Sequence, residues 1–229
     1  MPLARNRTSN RCNYASRGNA KKDFDGAVEN AVVPRLPESD FRNRAGDIGT
    51  TRYNAVVGYQ IRQFRKADFD TLWRIDQACF DPQLAYSRPE LAFYMQRPGS
   101  FTLVAESAKD EPSSKSPARS ANFPVGILGF VVAENRRKNG HIITIDVIAE
   151  ARRSGVGSGL LQAAEEKLAH AGTATVALET PVSNLPAIRF YKREGYFVEK
   201  TVAGYYSGLL DAVVMTKELK QAPVPKADD

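Results

Sequence analysis

Arg152-Arg153-Ser154-Gly155-Val156-Gly157-Ser158-Gly159 combines adjacent guanidinium groups with closely spaced glycines. Glycine lets backbone N–H groups approach a ligand, and the first turn of a helix carries N–H donors without intrahelical partners and a partial positive charge. The stretch follows a β-branched run, His141 to Ile148, and leads into Val156, Leu160, Leu161, Ala164 and Leu168 at helical spacing. Strand, glycine turn and helix in that order make a seat for phosphate or pyrophosphate, with Arg152 and Arg153 adding formal charge. The spacing is not the dinucleotide fingerprint G-x-G-x-x-G, and no Gly-Lys-Ser/Thr follows as a P-loop requires. A glycine-rich turn with no ligand is the plain alternative.

More residues favour the ligand. Val176-Ala177-Leu178-Glu179 reads as a short strand ending in a carboxylate. In the segment from Ser183 to Tyr196, Asn184 suits a helix N-cap and Pro186 the first turn. Ala187, Ile188 and Tyr191 then share a face, and Gly195 is placed to end the helix. These two motifs, about thirty residues apart, resemble the GNAT N-acetyltransferase superfamily. The R-x-x-G-x-G turn is similar to that family's pyrophosphate loop, and N-x-x-A-x-x-F-Y-x-x-x-G-Y to its second cofactor-side motif. Ala78-Cys79-Phe80-Asp81-Pro82 with Tyr86-Ser87, and Gly204-Tyr205-Tyr206 with Asp211 to Met215, resemble the protein N-terminal acetyltransferases within it, ribosomal-protein alanine acetyltransferases included. The resemblance spans roughly Gly58 to Leu219.

It implies an α/β fold of GNAT type, with a mixed central sheet of about seven strands flanked by four helices. It also implies acetyl-CoA as cofactor and direct attack by an amine on the thioester. Backbone at Val147 and Ile148 would meet the pantetheine arm and hold the oxyanion, while Arg152, Arg153, Ser154, Gly155, Val156, Gly157 and Ser158 would hold the pyrophosphate. Phe80, Pro82, Tyr86, Glu179, Tyr205 and Tyr206 would line the acceptor groove, where a protein or peptide N-terminus, ribosomal proteins among the candidates, would enter. Tyr191 is the candidate acid toward the leaving sulfur, or else a core tyrosine. Glu179 is the leading base, or else a member of a structural ion pair. His141 offers base chemistry near neutral pH, but it follows Asn139-Gly140, and an exposed turn histidine is the favoured reading. His170 sits where it complements a helix C-terminus. Asn184 contacts the pantetheine arm or simply caps its helix. Cys79 has no histidine at a pairing distance in sequence and is not taken as a nucleophile. Asp146 departs from the family pattern by placing a charge in a strand that is often apolar in relatives, and Pro181 by interrupting the stretch between Glu179 and Asn184.

The elements that must position these groups follow from pattern. Tyr59 to Phe64 alternates as a strand, and Asp68 is placed to cap a helix carrying Phe69, Leu72, Trp73 and Ile75. Ser87 caps a second helix with Pro89 in its first turn, and strand 101–106 follows. Val125 to Glu134 and His141 to Ile148 form a hairpin about a loop at 135–140, and helix 185–193 precedes strands near 197–202 and 211–217. Residues 109–122 read as an inserted Ser/Pro/Lys loop, and 220–229 as a polar tail. Residues 1–57 read as an extension expected to be disordered, with Arg5, Arg7, Arg11, Arg17, Lys21 and Lys22 and no acidic residue in the first 22.

The chain has 229 residues, 42% of them hydrophobic, and a net charge of +6. That is enough for one sizeable core. No apolar run approaches the roughly 20 residues that cross a bilayer. The ends carry no apolar segment of signal type, and Cys12 and Cys79 make neither a disulfide framework nor a metal pattern. The expectation is a cytoplasmic monomer or weak dimer without metal, membrane or direct nucleic-acid partner. Two other functions stay open: acetyl transfer to a small amine or lysine side chain, and a catalytically silent acyl-CoA-binding module.

Overall fold

A computed structural model describes residues 58–107 and 126–220. The expected extension at 1–57, the insertion at 109–122 and all but the first residue of the tail lie outside the described residues. In chain order the elements are β1 (Tyr59–Gln63), α1 (Phe69–Cys79), α2 (Arg88–Gln96), β2 (Ser100–Ser107), β3 (Ile127–Arg136), β4 (Asn139–Val147), α3 (Val156–His170), β5 (Thr175–Pro181), α4 (Leu185–Arg193), β6 (Phe197–Tyr206) and β7 (Leu210–Glu218). The seven strands form one mixed sheet in the order β1-β2-β3-β4-β5-β7-β6, in which only β4 and β5 run parallel. Parallel neighbours need a crossover, and α3 supplies it. With four helices on a mixed sheet, the architecture is the one expected.

Local chemistry sets the helix starts. Ser87 and Glu90 form a capping box, the Ser87 N–H donating to the Glu90 carboxylate at 2.7 Å and the Glu90 N–H to the Ser87 hydroxyl at 3.4 Å. The Asn184 side-chain oxygen accepts from the Ala187 N–H at 3.2 Å, and α4 covers the expected residues, Leu185–Arg193. Asp68 stands at the N-cap of α1 but makes no cap bond there. Its carboxylate accepts instead from Arg62 at 2.7 Å and from the Arg65 N–H at 2.7 Å, because the buried guanidinium is the stronger donor.

The core lies on both faces of the sheet. On one, α3 and α4 pack Val156, Leu160, Leu161, Leu168, Phe190 and Tyr191 against Val131, Ile142, Ile145, Leu178 and Met215. On the other, Leu72, Ile75, Leu91 and Tyr94 from α1 and α2 cover Phe130, Val132 and Ile143. A bulge in β4 adjusts the alternation: Val132 faces Thr144 while Ala133 faces Ile142, leaving Ile143 as the extra residue. Ile142 therefore joins Ile145 and Val147 beneath α3, and His141 falls on the opposite face with Ile143.

The β3–β4 turn differs from the expected loop at 135–140. It is two residues, Arg137-Lys138, with Arg137 at φ 66°, so Asn139 and Gly140 already belong to β4. Gly140 is there for packing: a Cβ would sit 2.8 Å from Leu168 Cδ1 and 3.1 Å from Thr173 Cγ2. What reads locally as turn chemistry is a close approach of α3 to the sheet.

Candidate active site

β4 and β5 are paired only from Asn139↔Thr175 to His141↔Ala177. Beyond that, β4 continues to Val147 alongside β3, and β5 to Pro181 alongside β7. The two strands part and leave a wedge in mid-sheet whose mouth leads to the start of α3. A wedge between parallel strands can take an extended ligand in the manner of an added strand.

At the α3 end lies a cleft of about 150 Å³ lined by Val147, Arg152, Arg153, Gly155, Gly157, Ser158, Phe190 and Arg193. Gly155 is the N-cap of α3 at φ 92°, which favours glycine, and Arg153 holds φ 61° without being glycine. The first helical bond runs from the Gly159 N–H to the Gly155 carbonyl at 2.9 Å, so the N–H groups of Val156, Gly157 and Ser158 stand in the unpaired first turn. Gly157 has a different reason from its neighbours. A Cβ there would meet only Phe190 and Val147, at 3.6 Å or more, so the fold tolerates a side chain but the cleft would lose the space. Gly159 is excluded from larger residues by Tyr59, whose hydroxyl would lie 2.4 Å from a Cβ and donates to the Gly155 carbonyl at 3.1 Å. Donors, guanidinium groups and open space fit a pyrophosphate.

Across the wedge the carboxylate of Glu179 meets His141 Nε2 at 2.8 Å, with side chains 13% and 8% exposed. His141 is buried, contrary to the exposed turn position expected of it, because the turn ends three residues earlier and the β4 bulge turns it toward β5. Its Nδ1 is buried without a hydrogen-bond partner among the described residues. Tyr205 lies beside the pair: burial first, and then the charge of Glu179, push its hydroxyl well above the usual tyrosine range, so it stays protonated. Tyr205 and Tyr206 pack edge to face at 5.0 Å, and Leu84 touches both their cluster and the one holding Phe80 and Tyr86. Leu84 thus joins the α1–α2 loop to the β6–β7 hairpin as one aromatic wall. Tyr191 is fully buried, edge-on to Phe190 at 5.1 Å and Tyr196 at 5.7 Å. It shares the α3–α4 face with Leu178, so it flanks β5 from the side opposite Glu179.

A family model described as the acetyltransferase (GNAT) family matches residues 69–196. The chain belongs to that family. Its members use acetyl-CoA, and this chain is an acetyl-CoA-dependent acetyltransferase. It is 29% identical over 166 residues to an uncharacterized N-acetyltransferase of Methanocaldococcus jannaschii, covering 72% of this chain and 95% of that one. It is 40% identical over 83 residues to an N-alpha-acetyltransferase of Sulfurisphaera tokodaii, covering 36% of this chain and 50% of that one. Among solved structures it resembles Ard1 from Thermoplasma volcanium, with a TM-score of 0.58 and 25% identity over 72% of this chain and all of that one.

The acetyltransferase does not place every anticipated side chain in a cleft. Val156 is wholly buried in the core and is not among the residues that line the cleft. The Ser154 hydroxyl donates to the Ala151 carbonyl at 2.6 Å and the Ser158 hydroxyl to Glu194 at 2.7 Å. Asn184 is engaged as a cap, and Pro82 is exposed outside the aromatic wall. Asp146 is fully buried and accepts from the Thr144 hydroxyl at 3.1 Å. Ile148 packs against both core clusters. The His170 imidazole meets the Glu166 carbonyl at 2.7 Å, at the helix end expected of it. Sequence reasoning missed Tyr59, Leu84, Phe190 and Arg193. Helical spacing held a signal for the last two: Phe190 and Arg193 are three apart and so share a face. Among the described residues no helix is long and apolar enough to cross a membrane.

Proposed function

We propose that this acetyltransferase modifies the α-amine of a protein or peptide N-terminus, ribosomal proteins among the candidate acceptors, by direct attack and without a covalent enzyme intermediate. The observation that carries this is the buried His141–Glu179 contact bordered by Tyr205 and the aromatic wall of Tyr86 and Tyr206. Aromatic walls suit a peptide backbone and a small first side chain. Relatives that bear the name N-alpha-acetyltransferase support the reading.

When bound, acetyl-CoA supplies the acetyl group as a thioester. Arg152, Arg153 and the backbone of residues 154–158 would hold its pyrophosphate, and the backbone at Val147 and Ile148 its pantetheine arm and the developing oxyanion. Glu179 and His141 act together as the base. The contact to Glu179 orients His141 by its Nε2, and the pair takes a proton from the incoming ammonium. An α-amine titrates near 8, so only part of the population needs that help. Tyr191, on the other face of β5, is the proton donor to the leaving sulfur. Protonated Tyr205 holds the acceptor side by hydrogen bonding and does not act as a base.

The test is release of coenzyme A from acetyl-CoA in the presence of short peptides with free or blocked N-termini, all containing an internal lysine. Turnover confined to free N-termini is expected. Acetylation of blocked peptides or of small polyamines would move the substrate to lysine or small amines. Cofactor binding with no turnover on any amine would leave a silent acyl-CoA-binding module.

A further inference from the structure

We propose that Arg193 selects the nucleotide end of the cofactor, binding the phosphate on the 3′ position of its ribose, so that the chain prefers coenzyme A to 3′-dephospho-coenzyme A. This rests on the cradle at the start of α3 being the pyrophosphate seat. Arg193 is the last residue of α4 and lines the cleft together with Phe190, over whose ring its guanidinium stands at 5.9 Å. It makes no ion pair among the described residues, and neither does Arg153. The carboxylate at the same rim, Glu194, is turned onto the Ser158 hydroxyl at 2.7 Å and does not compensate it.

Direction along the ligand decides which phosphate Arg193 meets. Val147 marks the inner end of the cleft: it is buried, and its carbonyl accepts from Arg152 at 3.3 Å and from the Cys79 thiol at 3.5 Å. A pantetheine arm entering the wedge between β4 and β5 must leave the cradle at that end. The ribose then leaves by the other end, where Arg153 and Arg193 are exposed. The remaining anionic group of coenzyme A is the phosphate on that ribose, and a guanidinium held over a ring is suited to it. The opposing explanation is that Arg193 only complements the C-terminus of α4, a position that Lys192 also occupies.

Isothermal titration of coenzyme A and of 3′-dephospho-coenzyme A into the full chain separates these, using wild type, Arg193→Gln and Arg193→Ala at one ionic strength. Wild type is expected to bind coenzyme A about fivefold tighter than the dephospho form, the size of an exposed charge-assisted contact. In both variants coenzyme A should weaken until the two ligands bind alike, while 3′-dephospho-coenzyme A stays within about twofold of its wild-type affinity. Equal weakening of both ligands would put Arg193 on the pyrophosphate or in the helix end. Equal affinities in wild type would leave it nothing to select. Either result overturns the assignment while leaving the cradle as the cofactor seat. A wild-type chain that binds neither ligand would overturn the cradle reading and the assignment with it.

Discussion

Gly157→Ala is expected to move stability and cofactor binding in opposite directions. Gly157 is the second residue of α3, and an added Cβ would lie 3.6 Å from Phe190 Cζ and 3.8 Å from Val147 Cγ2, ordinary contact distances. No neighbour must shift, so the helix gains the conformational advantage of alanine, about 0.5–1 kcal/mol, less at a helix end than in its middle. The thermal midpoint should rise by roughly 1–3 °C. Phe190 and Val147 are both walls of the cleft, so the same methyl occupies space inside a volume of only about 150 Å³. It would hold a phosphate off the first-turn N–H groups and cost at least one charge-assisted hydrogen bond. That is about 1.5–3 kcal/mol, a roughly ten- to hundredfold weaker dissociation constant for coenzyme A. Differential scanning calorimetry and isothermal titration on the same sample read the two effects separately. A stabilised Gly157→Ala protein that binds coenzyme A as wild type does would refute the cradle as the phosphate seat, and a destabilised one would refute the steric argument.

Gly159→Ala should do the reverse, losing about 1–2 kcal/mol of stability through the 2.4 Å approach to the Tyr59 hydroxyl, and Tyr59→Phe should rescue it because the remaining neighbours lie at 3.4 Å. Urea midpoints of the two single variants and the double variant check this, and simple additivity would sink it. Glu179→Gln is expected to lower kcat on peptide N-termini about a hundredfold with little change in the KM for acetyl-CoA. The double variant with His141→Gln should fall no further than the single changes by more than about threefold, since the pair acts as a unit. Steady-state kinetics decide it, and multiplied losses would show that the two residues work separately. Arg62 holds Asp68 at 2.7 Å and Glu106 at 2.8 Å. Burial raises the Asp68 carboxyl, but Arg62 and the Arg65 N–H more than offset that, and the Arg62 hydrogen bond lowers Glu106, so both titrate below their usual values. A depressed carboxylate contributes stability above its unfolded value, near pH 4, and loses it as pH falls through the folded value. Arg62→Met should therefore cost about 3 kcal/mol near pH 7 and flatten the loss of stability as the pH falls below about 4. An acid limb in urea midpoints that stays as steep as wild type would contradict this.

The parts of this fold legible in the sequence are those decided within a few residues. Ser87 with Glu90, and Asn184 with Pro186, set helix starts by local hydrogen bonds and a restricted φ, and both helices begin where those residues place them. The glycine turn that opens α3 is legible too, but its glycines are not separable, because each answers to something distant or invisible in the string. Gly155 needs φ 92°, Gly159 clears Tyr59 a hundred residues away, and Gly157 is required by neither. His141 shows the same limit. Asn139-Gly140 has the chemistry of a turn, yet Gly140 is small because Leu168 and Thr173 press on it, and the reversal moves to Arg137-Lys138. The displacement puts His141 inside the strand, the extra residue at Ile143 decides which face of β4 it occupies, and β5 then brings Glu179 to it. A one-residue slip of β4 that set Ile143 opposite Ala133 would turn His141 toward α3 and separate the pair without touching either residue. The base proposed for this enzyme is therefore as much a property of strand register as of the two side chains that would compose it.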